Sequence, residues 1–196
     1  FGMEIAFYDP YLAPGAERSF GFLRTETLGE LMEISDILSV HTPLTAETSG
    51  IIGTASLAQA KPGMQFVNTS RGGTMDLDAV EAALREGQLG GAALDVLPQE
   101  PLDYEHPLIR AFEASEDWLD GRLIITPHAA FYSPESVIDM RRIATENVVN
   151  FLRSGRLRSC VNADLLPNLA GSGDATPTSG FVANYSTGQT TVTGLE

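Results

Sequence analysis

Residues 64–73 read Met64-Gln65-Phe66-Val67-Asn68-Thr69-Ser70-Arg71-Gly72-Gly73. Met64 to Val67 is a short apolar run, and the residues after it turn polar and then glycine-rich. A buried strand that stops in a tight loop has this form. Just beyond it, Asp76 to Glu86 carries acidic residues in its first turn, apolar Leu77, Val80 and Leu84, and Gly87 past its end. Those are the start and stop signals of a helix. Gly91 to Val96 (GAALDV) then reads as a second strand, with Asp95 in it. Strand, helix and strand joined by short links make a parallel βαβ unit.

The same alternation extends in both directions. Met3 to Tyr8 (MEIAFY) predicts a buried parallel strand that stops at Asp9-Pro10. Thr27-Leu28-Gly29-Glu30 has the spacing of a capping box, with Leu28, Leu31 and Met32 at helical intervals. Ile37 to Val40 predicts a strand ending at His41-Thr42-Pro43, and Thr54 to Ala60 a short helix. Leu123 to Thr126 predicts another strand, ending at Pro127-His128. Ser133-Pro134 then offers an N-cap and an N1 proline. The helix after it carries Val137, Met140, Ala144, Val148 and Phe151 as an apolar stripe, with Gly155 behind. The expected fold class is α/β, a parallel sheet with helices on both faces. Ligands bind such sheets beyond the carboxyl ends of the strands. Asp9, Thr42, the Thr69-Ser70-Arg71 loop, Asp95 and His128 all fall at such ends.

Composition narrows the classes. The chain has 196 residues, enough for one good core or for a domain and part of another. Its formal charge of −14 repels phosphate backbones, so direct binding to nucleic acid is not expected. No apolar run approaches the ~20 residues of a membrane helix. The start, Phe1-Gly2-Met3-Glu4, lacks the basic-then-apolar pattern of a signal peptide. A single cysteine, Cys160, rules out an internal disulfide and fits a reducing compartment. His41 and His106 read as structural or exposed, and no metal constellation is visible. Asn68-Thr69-Ser70 and Asn184-Tyr185-Ser186 match the glycosylation pattern without a secretion signal to support its use. Residues 167–196 hold no Lys or Arg and are rich in Gly, Ser, Thr, Asn and Pro, which predicts a flexible tail.

Three side chains carry the expected chemistry. The planar fork of Arg71 suits bidentate capture of a carboxylate, and Gly72-Gly73 would let the backbone approach a ligand. His128 can give or take a proton near neutral pH. A carboxylate such as Glu100 on its second ring nitrogen would orient the imidazole and favour its protonated form. Asp9 ends a strand at the place where dinucleotide folds put the acid that accepts ribose hydroxyls and repels a 2′-phosphate. A turn-forming Asp-Pro accounts for Asp9 equally well on its own.

With Arg71, Glu100 and His128 in this order, residues 1 to 166 resemble the D-isomer-specific 2-hydroxyacid dehydrogenases. The motifs are VNTSRGG at 67–73, GAALDVLPQEP at 91–101 and TPHAAFYS at 126–133. Within that family, YDPYL at 8–12, PHAAFYS and the SCVNADLL of 159–166 look most like the C-terminal-binding proteins, NAD-binding corepressors. The resemblance implies Arg71 on the substrate carboxylate, with Phe131 beside it, and His128 as acid–base paired with Glu100. It implies NAD as cofactor. Asp9 would sit on the adenosine ribose, and Thr42, Pro43 and Thr48 along the adenosine and phosphate side. Thr69 and Ser70 would lie beneath the nicotinamide ribose, Asp95 on the carboxamide, and Ala129, Ala130 and His128 at the nicotinamide end.

Three departures from the family pattern stand out. The Gly-x-Gly-x-x-Gly turn should lie just upstream of Phe1-Gly2, so a partial Rossmann domain lacking its first βα unit is expected. The C-terminal-binding proteins have Trp where this chain has Phe131. The stretch between Glu100 and His128 is long, with an acidic surface insertion expected near Glu113 to Asp120. The expected division is an incomplete NAD-binding domain over 1–132, a helix returning to a substrate domain over 133–166, and the tail. The expected function is reduction of a 2-keto acid to a D-2-hydroxy acid with NADH, by a cytoplasmic homodimer. The alternative is an NAD-sensing corepressor, nuclear, that binds short peptide motifs. The isolated 196 residues are expected to bind NAD poorly and to turn over nothing measurable.

Overall fold

A computed structural model describes residues 2–160. The chain divides into two compact units between Ala130 and Phe131.

The first unit is built on parallel strands. β1 (Ala6–Phe7) pairs with β2 (Leu23–Arg24) in a two-stranded sheet. A separate four-stranded sheet has the order β3 (Ile37–Val40), β4 (Met64–Asn68), β5 (Leu89–Leu94), β6 (Leu123–Ile125), all parallel. Between them run helices α1 (Ala16–Phe20), α2 (Leu28–Ile34), α3 (Thr54–Leu57), α4 (Leu77–Glu86) and α5 (Pro107–Glu113). The α/β class expected from the alternation is what the chain adopts. The first strand is shorter than expected: Met3 and Ile5 are exposed, and only Ala6–Phe7 pairs. Asp9 behind it is nonetheless buried.

The core lies around β4, β5 and α4. Along β4 the side chains alternate, burying Met64, Phe66 and Asn68. Burying Phe66 alone contributes about 2–3 kcal/mol. Asp76 caps α4 by accepting from the backbone N–H groups of Asp78 at 3.0 Å and Ala79 at 3.3 Å. Gly87, at φ 77°, closes its other end. Val80 and Leu84 are fully buried on its inner face.

Two helices were invisible to periodicity. α1 is five residues between left-handed glycines Gly15 and Gly21 and buries nothing, so it has no apolar stripe to read. α5 starts with Pro107 at N1 and is capped by His106, whose Nδ1 accepts from the Leu108 N–H at 3.1 Å. Histidine is outside the usual N-cap set, which hid this helix. The stretch expected as a surface insertion is only partly one. Within Asp117–Leu119, a 3₁₀ turn, Leu119 is buried in the core and Trp118 packs against it beneath the Arg85 guanidinium. The apolar Trp118-Leu119 pair inside an acidic run is the physical reason.

Arg122 ties this part together. Its guanidinium donates to the carbonyls of Gly90 (3.0 Å), Trp118 (3.0 Å), Leu84 (2.7 Å) and Leu89 (2.8 Å). Arg122→Ala strands these acceptors and should destabilise by about 3 kcal/mol. Thermal unfolding should show a drop of about 10 °C, and a shift under about 2 °C would refute that role.

The second unit contains α6 (Pro134–Ser154). Ser133 accepts from Ser136 N–H, and Ser136 Oγ accepts from Ser133 N–H, both at 3.0 Å, with Pro134 at N1 and Gly155 as the left-handed stop. Ile138, Met140, Val148 and Leu152 on this helix are exposed. Among the described residues no helix is long and apolar enough to cross a membrane. The expected tail and the Asn184 sequon lie outside the described residues.

Candidate active site

The loops that leave the carboxyl ends of the parallel strands are joined to one another. Gly50 N–H donates to Gly73 carbonyl at 2.9 Å, and Ile52 N–H to Thr74 carbonyl at 3.0 Å. Those bonds tie the loop after β3 to the loop after β4. Asp95 N–H donates to Asn68 carbonyl at 2.9 Å, which ties β4 to the end of β5. The Tyr11 hydroxyl donates to Glu47 Oε2 and links the loop after β1 to the loop after β3. That hydrogen bond, and then the Glu47 charge, hold the Tyr11 phenol above its ordinary value, so it remains a neutral donor.

His128 follows β6 in the left-handed region, at φ 52°. Non-glycine residues seldom sit there, and such strain clusters at functional sites. Its Nδ1 lies 2.9 Å from Glu100 Oε2. Glu100 Oε1 accepts from Leu97 N–H at 3.2 Å. The bond from His128 draws the Glu100 carboxyl below its usual range, and the Leu97 N–H helps against partial burial. Glu100 and His128 are 28 residues apart in sequence and in direct contact in the fold.

Arg71 is exposed at the end of β4, with Nη1 on the Ser70 carbonyl at 2.7 Å. Among the described residues no carboxylate lies within ion-pair distance of it. Thr69 beside it is exposed and Ser70 half-buried. Gly72 packs against a neighbouring loop. A Cβ there would fall 1.9 Å from the Leu97 carbonyl oxygen, so the missing side chain makes room for the neighbouring loop. Gly73 faces the Leu44 side chain.

Asp95 is buried, and its carboxylate organises the His128 loop. Oδ1 accepts from Thr126 Oγ1 (2.5 Å) and Ala129 N–H (2.8 Å), and Oδ2 from Ala130 N–H (2.9 Å). Burial alone would raise this carboxyl; the bonds from Thr126, Ala130 and Ala129 outweigh it and hold it below the usual range. A carboxyl depressed on folding lends stability above its unfolded value, near 4, and loses it as pH falls through the folded value. Asp95→Asn should cost about 2 kcal/mol at neutral pH and flatten the acid limb of the stability curve. Thermal unfolding between about pH 6 and pH 2 checks this; an unchanged acid slope would sink it.

Asp9 and Thr42 mark a place for a ligand. Asp9 Oδ1 accepts from Tyr11 N–H at 2.9 Å, while Oδ2 is buried with no partner, as is Thr42 Oγ1. Buried polar atoms left unpaired are costly, so a hydroxyl-bearing ligand fits there. Arg24 near Asp9 is committed to backbone carbonyls, donating to Asp9 (3.2 Å), Leu12 (3.0 Å) and Ala13 (3.4 Å). Thr48 Oγ1 donates to the exposed Pro43 carbonyl (2.5 Å) and meets Thr45 Oγ1 (3.1 Å), which folds this loop back. Phe131 begins the second unit and is exposed.

Sequence reading missed several supporting residues. Asn68 is fully buried, so its sequon is inaccessible; Thr74, Thr126, Tyr11 and Glu47 carry contacts that no spacing rule signals. His106 Nε2 lies 3.0 Å from Asp78 Oδ1, and with Glu81 these groups gather within 4.8 Å. His106 Nδ1 also caps α5, and Glu81 Oε1 pairs with Arg85 at 2.9 Å.

The D-isomer specific 2-hydroxyacid dehydrogenase NAD binding domain profile matches residues 1–130. The glyoxylate reductase of Korarchaeum cryptofilum (strain OPF8) is 36% identical over 166 residues, 85% of this chain and 47% of its own. The D-3-phosphoglycerate dehydrogenase of Bacillus subtilis (strain 168) is 33% identical over 166 residues, 83% of this chain and 29% of its own. The NAD-complexed form of a D-isomer specific 2-hydroxyacid dehydrogenase from Lactobacillus delbrueckii ssp. bulgaricus superposes with a TM-score of 0.67 at 32% identity. It covers 82% of this chain and 49% of its own. The chain thus spans less than half the length of each of these relatives.

Proposed function

Because the chain belongs to the D-isomer-specific 2-hydroxyacid dehydrogenases, as their NAD-binding domain, we propose that its full-length protein interconverts a 2-keto acid and a D-2-hydroxy acid. The observation that carries this is the His128–Glu100 contact at 2.9 Å, together with Arg71, a cation with no carboxylate partner among the described residues. NAD, when bound, supplies the two-electron redox chemistry. The unpaired Asp9 Oδ2 and Thr42 Oγ1 are the atoms suited to its hydroxyl-rich adenosine end.

The chain's own residues do the rest. Arg71 holds the substrate carboxylate through its fork. With Nδ1 directed at Glu100, His128 Nε2 is the atom that gives a proton to the keto oxygen in reduction and takes it from the hydroxyl in oxidation. Asp95 holds Thr126, Ala129 and Ala130, and so the turn that presents His128. A homodimer in a reducing compartment completes the proposal. The relatives act on different acids by name, glyoxylate and 3-phosphoglycerate, and the choice for this protein falls to assay.

A second reading rests on YDPYL at 8–12 and PHAAFYS at 127–133, which resemble stretches of the C-terminal-binding proteins apart from Phe131. In it NAD gates a scaffold for peptide motifs. One experiment separates the two: NADH consumption by the full-length protein over a panel of 2-keto acids. Turnover on one of them supports the dehydrogenase; tight NADH binding with none favours the scaffold.

A further inference from the structure

We infer that Asn68 and Thr74 are positioning residues for Arg71, a buried polar lock that fixes where the substrate carboxylate is held. The inference rests on the reading of Arg71 as the carboxylate anchor.

Asn68 ends β4 with no exposed surface, and every hydrogen-bonding capacity of its side chain is filled. Oδ1 accepts from Ser70 N–H at 3.0 Å and Ser70 Oγ at 2.9 Å. Nδ2 donates to the Arg71 carbonyl at 3.3 Å and to Thr74 Oγ1 at 3.2 Å. Thr74, also without exposed surface, passes its hydroxyl proton to the same Arg71 carbonyl at 2.7 Å, and its N–H donates there at 3.1 Å.

Both ends of Arg71 are therefore referenced to one buried amide. Its carbonyl receives Asn68 and Thr74 directly. Its guanidinium rests on the carbonyl of Ser70, whose N–H and hydroxyl are held by Asn68. Asn68 itself is fixed in the sheet, paired with Val40 on one side and Leu94 on the other. A loop whose only task was to turn would not need a saturated buried network beneath one exposed arginine. A flexible arginine that must meet a planar carboxylate does, because small misplacement of a binding group is costly.

The test uses the full-length protein and reads KM and kcat for its 2-keto acid, NADH affinity and melting temperature. Thr74→Val keeps the volume and removes the hydroxyl. We expect the keto-acid KM to rise about tenfold, with kcat and NADH affinity within about threefold. Thr74→Ser, which restores the hydroxyl, should return KM to within about twofold of wild type. Asn68→Asp keeps both acceptors for Ser70 and loses both donations, so it should shift KM in the same direction. If Thr74→Val does not fold, Thr74→Ala supplies the same comparison with Thr74→Ser. A merely structural role would lower the melting temperature and the active fraction, leaving KM in place; that result overturns the inference. Arg71→Ala is the control. If it raises KM while the Thr74 and Asn68 variants do not, positioning alone fails. If Arg71→Ala leaves KM unchanged, the anchor reading and the inference fall together.

Discussion

Replacing His128 with asparagine should lower turnover by about a thousandfold while leaving NADH affinity within a few-fold, the loss expected for one general acid–base. Asparagine is the right replacement because His128 sits at φ 52°, a region asparagine tolerates and alanine resists. The variant therefore removes the titratable ring without adding backbone strain. Glu100→Gln should cost about a hundredfold, since an amide can still meet Nδ1 but no longer stabilises the imidazolium. The Glu100 carboxyl is held below its usual range first by His128, so it stays ionised through neutral pH. The Glu100 carboxylate therefore keeps its charge through the usual carboxylate range and loses it only as acid carries the pH below that range. In Glu100→Gln the acid limb that belongs to this carboxyl should disappear from the pH–rate profile. Turnover at neutral pH checks the two losses, and steady-state kinetics carried below about pH 4 check the acid limb. Full turnover in His128→Asn would show that His128 is not the acid–base of the reaction.

What could be read in the sequence was whatever local pattern controls. The βαβ core around MQFVN and LDAVEAALRE was legible because its strands and helix carry undisturbed periodicity and its caps are ordinary ones. The Arg71, Glu100 and His128 positions were legible because each follows a strand end. Other features were not, for a common reason: they depend on which loops meet. Gly72 reads in sequence as a turn glycine, and nothing in its spacing shows the Leu97 carbonyl that lies against it. Asp95 reads only as a partner for the carboxamide, yet three donors from the 126–130 turn converge on it. Asn68 looked like a strand end or a sugar acceptor, and is a saturated buried amide. Polar side chains within a few residues of one another give no sequence period, so their networks appear only in three dimensions. The first strand failed in the opposite sense. MEIAFY has the composition of a buried strand, but burial needs neighbours on both faces, and Met3 and Ile5 are exposed.

Among the glycines of the described residues, Gly72→Ala should be the most damaging substitution. The added Cβ would lie 1.9 Å from the Leu97 carbonyl oxygen, 2.0 Å from its carbon and 2.5 Å from Pro98 N. Carbon and oxygen rest no closer than about 3.3 Å, so the backbones must separate by more than about 1 Å. No flexible side chain can absorb that, because both contacting groups are main chain. We expect a loss of about 3 kcal/mol in stability and, in protein that still folds, turnover reduced by about a hundredfold. The second effect has a specific route. Gly72 adjoins Arg71, and the Leu97 N–H holds Glu100 Oε1, whose partner oxygen meets His128. Pushing Leu97 away therefore moves the orienting carboxylate and the arginine apart in one step. Gly73→Ala is the matched control. Its Cβ would meet Leu44 Cδ2 at 2.9 Å and Cδ1 at 3.1 Å, the mobile end of a half-exposed side chain, and should cost under about 1 kcal/mol. Denaturant unfolding and turnover measured on the two alanine variants decide the matter. Equal effects would mean that the contact between the arginine loop and the Leu97 loop is incidental. A large effect confined to Gly72 would mean that the two halves of the site are set against each other by that contact.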